Sequence, residues 1–223
     1  MKLAVAGDTH GDLYFKNIYR AKKLGIDTLI ICGDFGYIWS GSKKEQHQLD
    51  YLNKIGVQVL FCDGNHENFD ILNSYPISEM YGGKVHKIRE NIIHLMRGEI
   101  YNIDNKSFFV FGGANSTDKE WRTEGKSWWK EEVPSSAEKG YGLYNLNAHG
   151  NEIDYIITHT CYPSALIKVG GDYRVDELSD YFNQIRVTAK YKYWYFGHMH
   201  QTAIIDNKTM CLYNEIRIIS KEI

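Results

Sequence analysis

The segment 193–201 contains two histidines, His198 and His200, separated by a single residue. They follow an aromatic run and a glycine, as expected where a buried strand ends. In an extended chain alternate side chains share a face, so both imidazoles would point the same way. The spacing therefore predicts two imidazoles, which are common metal ligands, directed at one place.

Other polar side chains with ligand chemistry also follow short apolar runs. Five such runs end in Asp, Asn or His, three of them at a Gly-Asp or Gly-Asn step. Glycine lets the backbone turn sharply as it leaves a sheet, and ligands of open α/β sheets gather at the carboxyl ends of strands. We therefore expect one site. Its candidate ligands are Asp8, His10, Asp34, Asn65, His159, His198 and His200.

The types of these side chains indicate which metal ions the site could bind. Carboxylate, amide and imidazole groups together suit borderline divalent metals, rather than Ca²⁺ or a thiolate-bound structural Zn²⁺. Seven protein ligands exceed the needs of one ion, whereas two ions about 3.5–4 Å apart that share a carboxylate would use them all. The sequence predicts two divalent metal ions, with Mn the first expectation and Fe, Zn, Co or Ni the alternatives.

The elements around these motifs predict a mixed α/β fold. In the first third of the chain, apolar strands alternate with helical patterns, as in βαβ units with a largely parallel sheet. The strands are expected at 2–7, 27–32 and 57–62, and the helices at 13–24 and 43–55, the first of them with Tyr14, Ile18, Ala21 and Leu24 on one stripe.

The rest of the chain adds more strands. The runs 91–96, 99–104 and 106–113 are interpreted as a meandering antiparallel set, and 202–206 with 209–214 as a terminal hairpin. Helices are expected at about 135–149 and 176–190, and buried strands at 153–158 and 192–197. We expect one domain over 1–223, with two packed sheets and an aromatic-rich insertion at about 115–135.

Composition narrows the class of protein. The 223 residues are 43% hydrophobic and 24% charged, which is typical of a globular domain, and the net charge is −2. The absence of a basic excess disfavours a nucleic-acid partner or an anionic membrane surface. Nowhere do about 18 apolar residues run together, so we expect no membrane partner and a cytoplasmic location. The sequence indicates no oligomeric state.

Five motifs, read together, resemble a known family. The blocks GDTHG (7–11), GDFG (33–36), GNHE (64–67), THT (158–160) and GHMH (197–200) resemble those of the calcineurin-like metallophosphoesterases, in that family's order. The resemblance implies a four-layer αββα sandwich with two mixed β-sheets and a metal site at the C-terminal ends of the strands. It also implies that Asp8, His10 and His200 hold the first metal, that Asn65, His159 and His198 hold the second, and that Asp34 bridges them.

The resemblance further implies a hydrolase that cleaves a phosphomonoester or phosphodiester by attack of a metal-bridging hydroxide. His66 corresponds to the family's catalytic histidine, and Asn65 would also contact the substrate. The second block lacks the Asp and Arg that continue it in the Ser/Thr protein phosphatases, which argues against that branch. Glu67 is expected to cap the following helix or to orient a neighbour.

The insertion offers candidates for substrate binding. Arg122 could replace the missing phosphate-binding arginine, against the alternative of a solvated surface residue. Trp121, Trp128 and Trp129 could stack on a nucleobase or aryl group, although packing of the insertion onto the body is the simpler interpretation. The expected substrate is a phosphoester, a small molecule or a nucleotide.

Two other functions remain open. A nuclease-type phosphodiesterase that acts on DNA or RNA is disfavoured by the near-neutral charge. A non-catalytic metal-binding scaffold is disfavoured because all seven ligand positions and His66 are present.

Overall fold

A computed structural model of the protein describes residues 1–11, 16–170 and 176–219. Seven strands of the described chain form a first sheet in the order β13-β1-β2-β3-β6-β5-β4. They are β1 (Leu3–Ala6), β2 (Thr28–Ile31), β3 (Gln58–Phe61), β4 (Ile77–Met80), β5 (Gly83–Arg89), β6 (Ile92–Leu95) and β13 (Ile216–Ile219). The central four strands, β1, β2, β3 and β6, run parallel, and the outer strands pair antiparallel, so this sheet is mixed.

Six further strands form a second mixed sheet in the order β11-β12-β10-β9-β8-β7. They are β7 (Glu99–Ile103), β8 (Lys106–Phe111), β9 (Glu152–Thr158), β10 (Lys190–Phe196), β11 (Ala203–Ile204) and β12 (Thr209–Cys211). Strands β8, β9, β10 and β12 are parallel, and the edge strands β7 and β11 are antiparallel to their neighbours. The terminal hairpin expected at 202–214 is present as β11 and β12.

Helices cover the outer faces of the two sheets. They are α1 (Lys16–Lys23), α2 (Lys43–Asn53), α3 (Phe69–Leu72), α4 (Ser136–Ala148), α5 (Pro163–Gly170) and α6 (Glu177–Thr188). The expected helices at 43–55, 135–149 and 176–190 thus form. Of the helix expected at 13–24, residues 13–15, including Tyr14, lie outside the described residues.

Three apolar clusters lie between these layers and show why the chain folds as a sandwich. Along β1, Ala4 packs toward α1 and α2 on the outer face, whereas Leu3 and Val5 pack between the sheets. This alternation is the pattern of a strand buried on both faces. A third cluster joins the second sheet to α4, α5 and α6, with Phe182 at its centre. The order of layers is therefore α, β, β, α, as the family resemblance implied.

The middle of the chain differs from the expected antiparallel meander. Strand β6 pairs parallel to β3 in the first sheet, and β7 and β8 form their antiparallel pair in the second. The expectation was wrong because apolar strands of either sheet look alike in sequence, and the chain crosses between the sheets after Leu95. The elements α5, β4, β5 and β13 were also not predicted. Strand β4 has three exposed residues at the sheet edge and so lacks a buried pattern.

The aromatic-rich segment 115–135 contains two short 3-10 turns, Lys119–Trp121 and Lys130–Glu132. Trp129 is buried and packs against the first helical layer, whereas 84% of Trp121 is exposed. All four cysteines are buried and free, as small apolar side chains would be. Within the described residues, no helix has the length and apolar character needed to cross a membrane.

Candidate metal centre and active site

The candidate ligands lie in the loops that leave five parallel strands. Asp8, Asp34 and Asn65 follow β1, β2 and β3 of the first sheet, and His159 directly follows β9 of the second. His198 and His200 lie just beyond the end of β10. Because the two sheets face each other, the carboxyl ends of these strands bring the loops to one edge of the sandwich.

Four of these residues have left-handed backbone conformations. The φ angles are 49° at His10, 47° at Asp34, 65° at His198 and 48° at His200. Non-glycine residues adopt this region at a cost in energy, and such strain concentrates at functional sites. The expectation that an extended chain aligns His198 with His200 was therefore wrong, since tight turns after the strand orient both rings.

Asp8, His10, Asp34 and His200 form the first part of the site. One ligand atom from each lies within 4.8 Å of the others. The Nε2 atoms of His10 and His200 are 2.7 Å apart, and His200 Nε2 is 3.3 Å from Asp8 Oδ2. Although burial opposes ionisation, the contacts with His10 and His200 hold the pKa of Asp8 well below its usual range. Two imidazole nitrogens and two ionised carboxylates thus face one point.

His159 anchors the second part of the site. Its Nδ1–H donates to the carbonyl oxygen of Cys32 at 2.8 Å, which leaves Nε2 to face the site. That Nε2 atom is 3.3 Å from Asp34 Oδ1 and 3.1 Å from Asn65 Oδ1. The ring of His198 lies 4.9 Å away, edge to face. The Asp34 carboxylate therefore lies between the two parts of the site, with its other oxygen 3.6 Å from His10 Nε2.

The electrostatics of the site fit bound divalent cations. Asp8 and Asp34 are only 4% and 1% exposed, and across the described residues their ion-pair partners are histidines, with no lysine or arginine. Buried carboxylates need a compensating charge. Although burial opposes a charged imidazole, Asp34 raises the pKa of His159 to about 10. The place that the His159 ring occupies therefore favours a positive charge. Burial and His159 lower the pKa of His198 to about 4, which keeps a lone pair available.

Glu67 joins two of the ligand loops. Its fully buried carboxylate accepts hydrogen bonds from the backbone N–H of Phe35 at 2.7 Å and of Gly64 at 2.8 Å. The expected helix-capping role was wrong, since Asn68 caps α3. The alternative, orientation of a neighbour, describes what Glu67 does.

His66 lies beside the cluster. Its backbone N–H donates to Asp34 Oδ1 at 2.8 Å, and its ring meets the His10 ring edge to face at 5.2 Å. Burial lowers the pKa of His66 below its ordinary value, and the positive charge of Arg122 acts in the same direction. The ring lines a cavity of about 320 Å³ together with residues that the sequence did not single out, Trp39 and Glu45 among them.

Arg122 is paired within its own segment of the chain. Its guanidinium donates to Asp118 Oδ2 through Nε at 2.9 Å and through Nη2 at 2.8 Å. Among the described residues, no site carboxylate pairs with it, and its charge lowers the pKa of His66 less than burial does. Of the tryptophans, Trp129 packs against Trp39 and Trp121 extends into solvent.

A comparison with models of protein families assigns the chain to a family. A family model described as calcineurin-like phosphoesterase matches residues 1–202. The chain belongs to the calcineurin-like phosphoesterase family. It is therefore a hydrolase acting on ester bonds, and the family together with the cluster of Asp and His indicates divalent metal ions. No curated protein matches the chain significantly.

Solved structures share the fold at low sequence identity. One superposes with a TM-score of 0.55 at 12% identity and covers 95% of this chain and 89% of its own. The protein TT1561 of Thermus thermophilus superposes with a TM-score of 0.52 at 11% identity over 97% of each chain. An archaeal protein described as a novel phosphodiesterase reaches only 0.39 at 13% identity, over 98% and 99% of the chains, and adds nothing to the assignment. The first two structures thus share the fold of the chain at low sequence identity.

Proposed function

We propose that the protein is a two-metal phosphoesterase in which Asp34 bridges the ions. Asp8, His10 and His200 would hold one ion, and Asn65, His159 and His198 the other, with Mn²⁺ the first choice. The observation that supports this most is the position of the Asp34 carboxylate. One of its oxygens is 3.6 Å from His10 Nε2 and the other is 3.3 Å from His159 Nε2, so a single side chain can serve both halves.

Bound ions of this kind supply a nucleophile at neutral pH by lowering the pKa of a water, and they neutralise charge on the phosphoryl oxygens. The side chains provide the remaining functions. His66 would donate a proton to the leaving oxygen, because its ring lies beside His10 and lines the adjoining cavity. Asn65 would contact the phosphoryl group, and Arg122 would add a bidentate donor after release from Asp118.

A small phosphomonoester or phosphodiester is the substrate that this site supports best. The cavity beside His66 measures about 320 Å³, the size of a small-molecule pocket rather than of a nucleic-acid groove. Its lining residues in the described chain are His10, Gly36, Trp39, Glu45 and His66. None of them is a lysine or arginine that would follow a polynucleotide backbone.

Metal removal and restoration test this proposal. Protein stripped with a chelator should not hydrolyse p-nitrophenyl phosphate or bis(p-nitrophenyl) phosphate, and added Mn²⁺ should restore hydrolysis of at least one of them. Asp34→Asn should prevent the restoration, whereas Asp50→Asn, which changes an exposed carboxylate paired with Arg89, should not. Full activity after chelation, or none with Mn²⁺, Fe²⁺, Zn²⁺, Co²⁺ or Ni²⁺, would overturn the proposal.

A further inference from the structure

The cavity beside His66 has an indole ring as one wall. Trp39 lies 6.3 Å from the His66 ring, centroid to centroid, and both residues line the cavity. The volume of about 320 Å³ is at the lower end of small-molecule sites. A leaving group whose oxygen takes a proton from His66 would therefore extend along Trp39.

Trp39 is held in place by its surroundings. Trp129 meets it edge to face at 5.3 Å, and the Trp129 indole N–H donates to Asp70 Oδ2 at 2.8 Å. The backbone N–H groups of Trp39 and Ser40 donate to Glu45 Oε2 at 3.1 and 2.7 Å. A ring fixed before binding loses little conformational entropy when a ligand packs on it. Trp129 of the insertion thus supports Trp39, the residue of a different loop that forms the cavity wall.

The charge of the cavity restricts what can enter it. Glu45 contributes a carboxylate, and the lining residues in the described chain include no lysine or arginine. A second phosphate or a carboxylate on the leaving group would meet no lysine or arginine among these lining residues, whereas a flat neutral ring gains by stacking. We infer, on the basis of the proposed function, that Trp39 forms a leaving-group subsite and that the substrate is a phosphate ester of an uncharged aromatic alcohol or of a nucleoside.

A comparison of three esters tests this inference on the Mn²⁺-loaded protein. The esters are phenyl phosphate, thymidine 5′-monophosphate and n-butyl phosphate, of which only the last lacks a ring. Trp39→Ala should lower kcat/KM for an aromatic ester by about tenfold relative to n-butyl phosphate, through KM. Trp39→Phe should keep most of the preference. Trp121→Ala, which removes a solvent-exposed indole, is the matched control and should change neither ratio.

The aromatic esters distinguish the source of the ring. If Trp39→Ala lowers kcat/KM relative to n-butyl phosphate for phenyl phosphate alone, the substrate is an aryl ester. If it lowers that ratio for thymidine 5′-monophosphate, the substrate is a nucleoside ester. Equal losses on all three esters, or no loss, would overturn the inference and leave the proposed function standing. Failure of the wild-type protein to hydrolyse these esters and the p-nitrophenyl esters with every metal would overturn both.

A second, independent observation concerns how Asn65 is oriented. The Ser116 hydroxyl donates to Glu132 Oε2 at 3.0 Å, and the Ser116 N–H donates to Glu132 Oε1 at 2.8 Å. A hydroxyl has one hydrogen, so toward Asn65 its oxygen must accept, and it does so from Asn65 Nδ2 at 3.0 Å. Asn65 Oδ1 is thereby directed toward His159 Nε2. All of these side chains are buried.

Ser116 and Glu132 both belong to the aromatic-rich segment. The Glu132 carboxylate is neutralised by Lys119 Nζ at 2.8 Å, from the same segment. The geometry points to Ser116 and Glu132 as positioning residues that present the Asn65 oxygen to the second metal of the proposed centre. This gives the segment a role in metal affinity that is separate from any contact with substrate.

Calorimetric titration with Mn²⁺ tests this role without reference to catalysis. Ser116→Ala and Glu132→Gln should weaken binding of one of two ions by about 10–100-fold and leave the other unchanged. Ser116→Thr, which keeps the hydroxyl, should restore affinity. Ser127→Ala is the matched control, since the partner of the Ser127 hydroxyl among the described residues is Thr123 of the same segment.

Wild-type affinity for both ions in a folded Ser116→Ala protein would overturn the positioning role. Thermal unfolding of the metal-free variants shows whether any of them has a folding defect. If Glu132→Gln does not fold, the comparison of Ser116→Ala with Ser116→Thr still tests the positioning role. Binding of fewer than two ions by the wild-type protein would instead contradict the two-metal proposal.

Discussion

At the scale of single residues, the positions of the candidate site residues were predictable from residue type and motif. The seven candidate ligands and His66 lie within a few residues of strand ends, so local sequence places them, and Asp8, His10, Asp34 and His200 lie together in the structure. The backbone conformations were not predictable. Such left-handed angles, found at His10, Asp34, His198 and His200, persist only where the surrounding tertiary structure imposes them, and no local pattern predicts that.

His66→Ala provides the residue-scale prediction. The backbone N–H of His66 holds Asp34, and alanine keeps that N–H, so metal content should not change. The lost imidazole should lower kcat by about 10²–10⁴-fold, the usual contribution of a general acid. Steady-state kinetics with elemental analysis of the same sample measures both quantities. His47→Ala, at an exposed position on α2, serves as the control; near-normal turnover of His66→Ala would rule out the catalytic role.

At the scale of elements, ligand loops from different strands are tied together by buried polar side chains. Glu67 joins the loops after β2 and β3, and Ser116 with Glu132 joins the insertion to Asn65. The Asn65–Ser116 contact spans 51 positions in sequence, so no local pattern could predict it. The alternation of strand and helix, by contrast, was predictable from periodicity, because each of those elements buries a continuous face.

Glu67→Ala tests the loop junction. The change leaves the N–H groups of Phe35 and Gly64 without their acceptor in a buried place, and each such donor costs about 1–3 kcal/mol. We expect the free energy of unfolding of the metal-free protein to fall by at least about 2 kcal/mol in urea titrations. Glu79→Ala, on the exposed edge strand β4, should change it by less than about 0.5 kcal/mol. Equal values for the two variants would refute the role of Glu67.

At the scale of the whole molecule, Arg97 connects the layers. It lies where the chain crosses between the sheets, and it donates to Asp63 Oδ2 after β3 and to Glu138 Oε1 on α4, at 2.6 and 3.1 Å. Burial alone would raise the pKa of Asp63, but Arg97 and His94 hold it below its ordinary value of 3.8. Which sheet each middle strand joins depends on such tertiary contacts, so the sequence alone placed β6 incorrectly.

The loss of stability caused by Arg97→Met is expected to depend on pH. With Arg97 present, the folded pKa of Asp63 is depressed, so the pair stabilises the fold above about pH 4 and this contribution is lost only on strong acidification. Without Arg97, His94 is left to oppose the effect of burial, so the pKa of Asp63 should rise, and the buried carboxylate that has lost its arginine should cost about 3–5 kcal/mol at pH 7.

The cost of Arg97→Met should therefore shrink as the pH is lowered toward 4, where the Asp63 carboxyl, left with His94 as its partner, takes up a proton. Urea unfolding at pH 7 and pH 4.5 measures this difference. Arg89→Met, which breaks an ion pair with the exposed Asp50, should cost about 1 kcal/mol or less at both pH values. A deficit for Arg97→Met that is the same at both pH values would contradict the explanation.

The central claim is that side chains from Asp8 to His200 bind a pair of divalent ions bridged by Asp34, and metal stoichiometry tests it most directly. Chelator-treated protein equilibrated with Mn²⁺, freed of excess ion and analysed by elemental mass spectrometry should retain two ions per chain. Asp34→Asn should retain fewer than two. Retention of no stoichiometric divalent ion by the wild-type protein, together with no gain in phosphoester hydrolysis on adding one, would contradict the account.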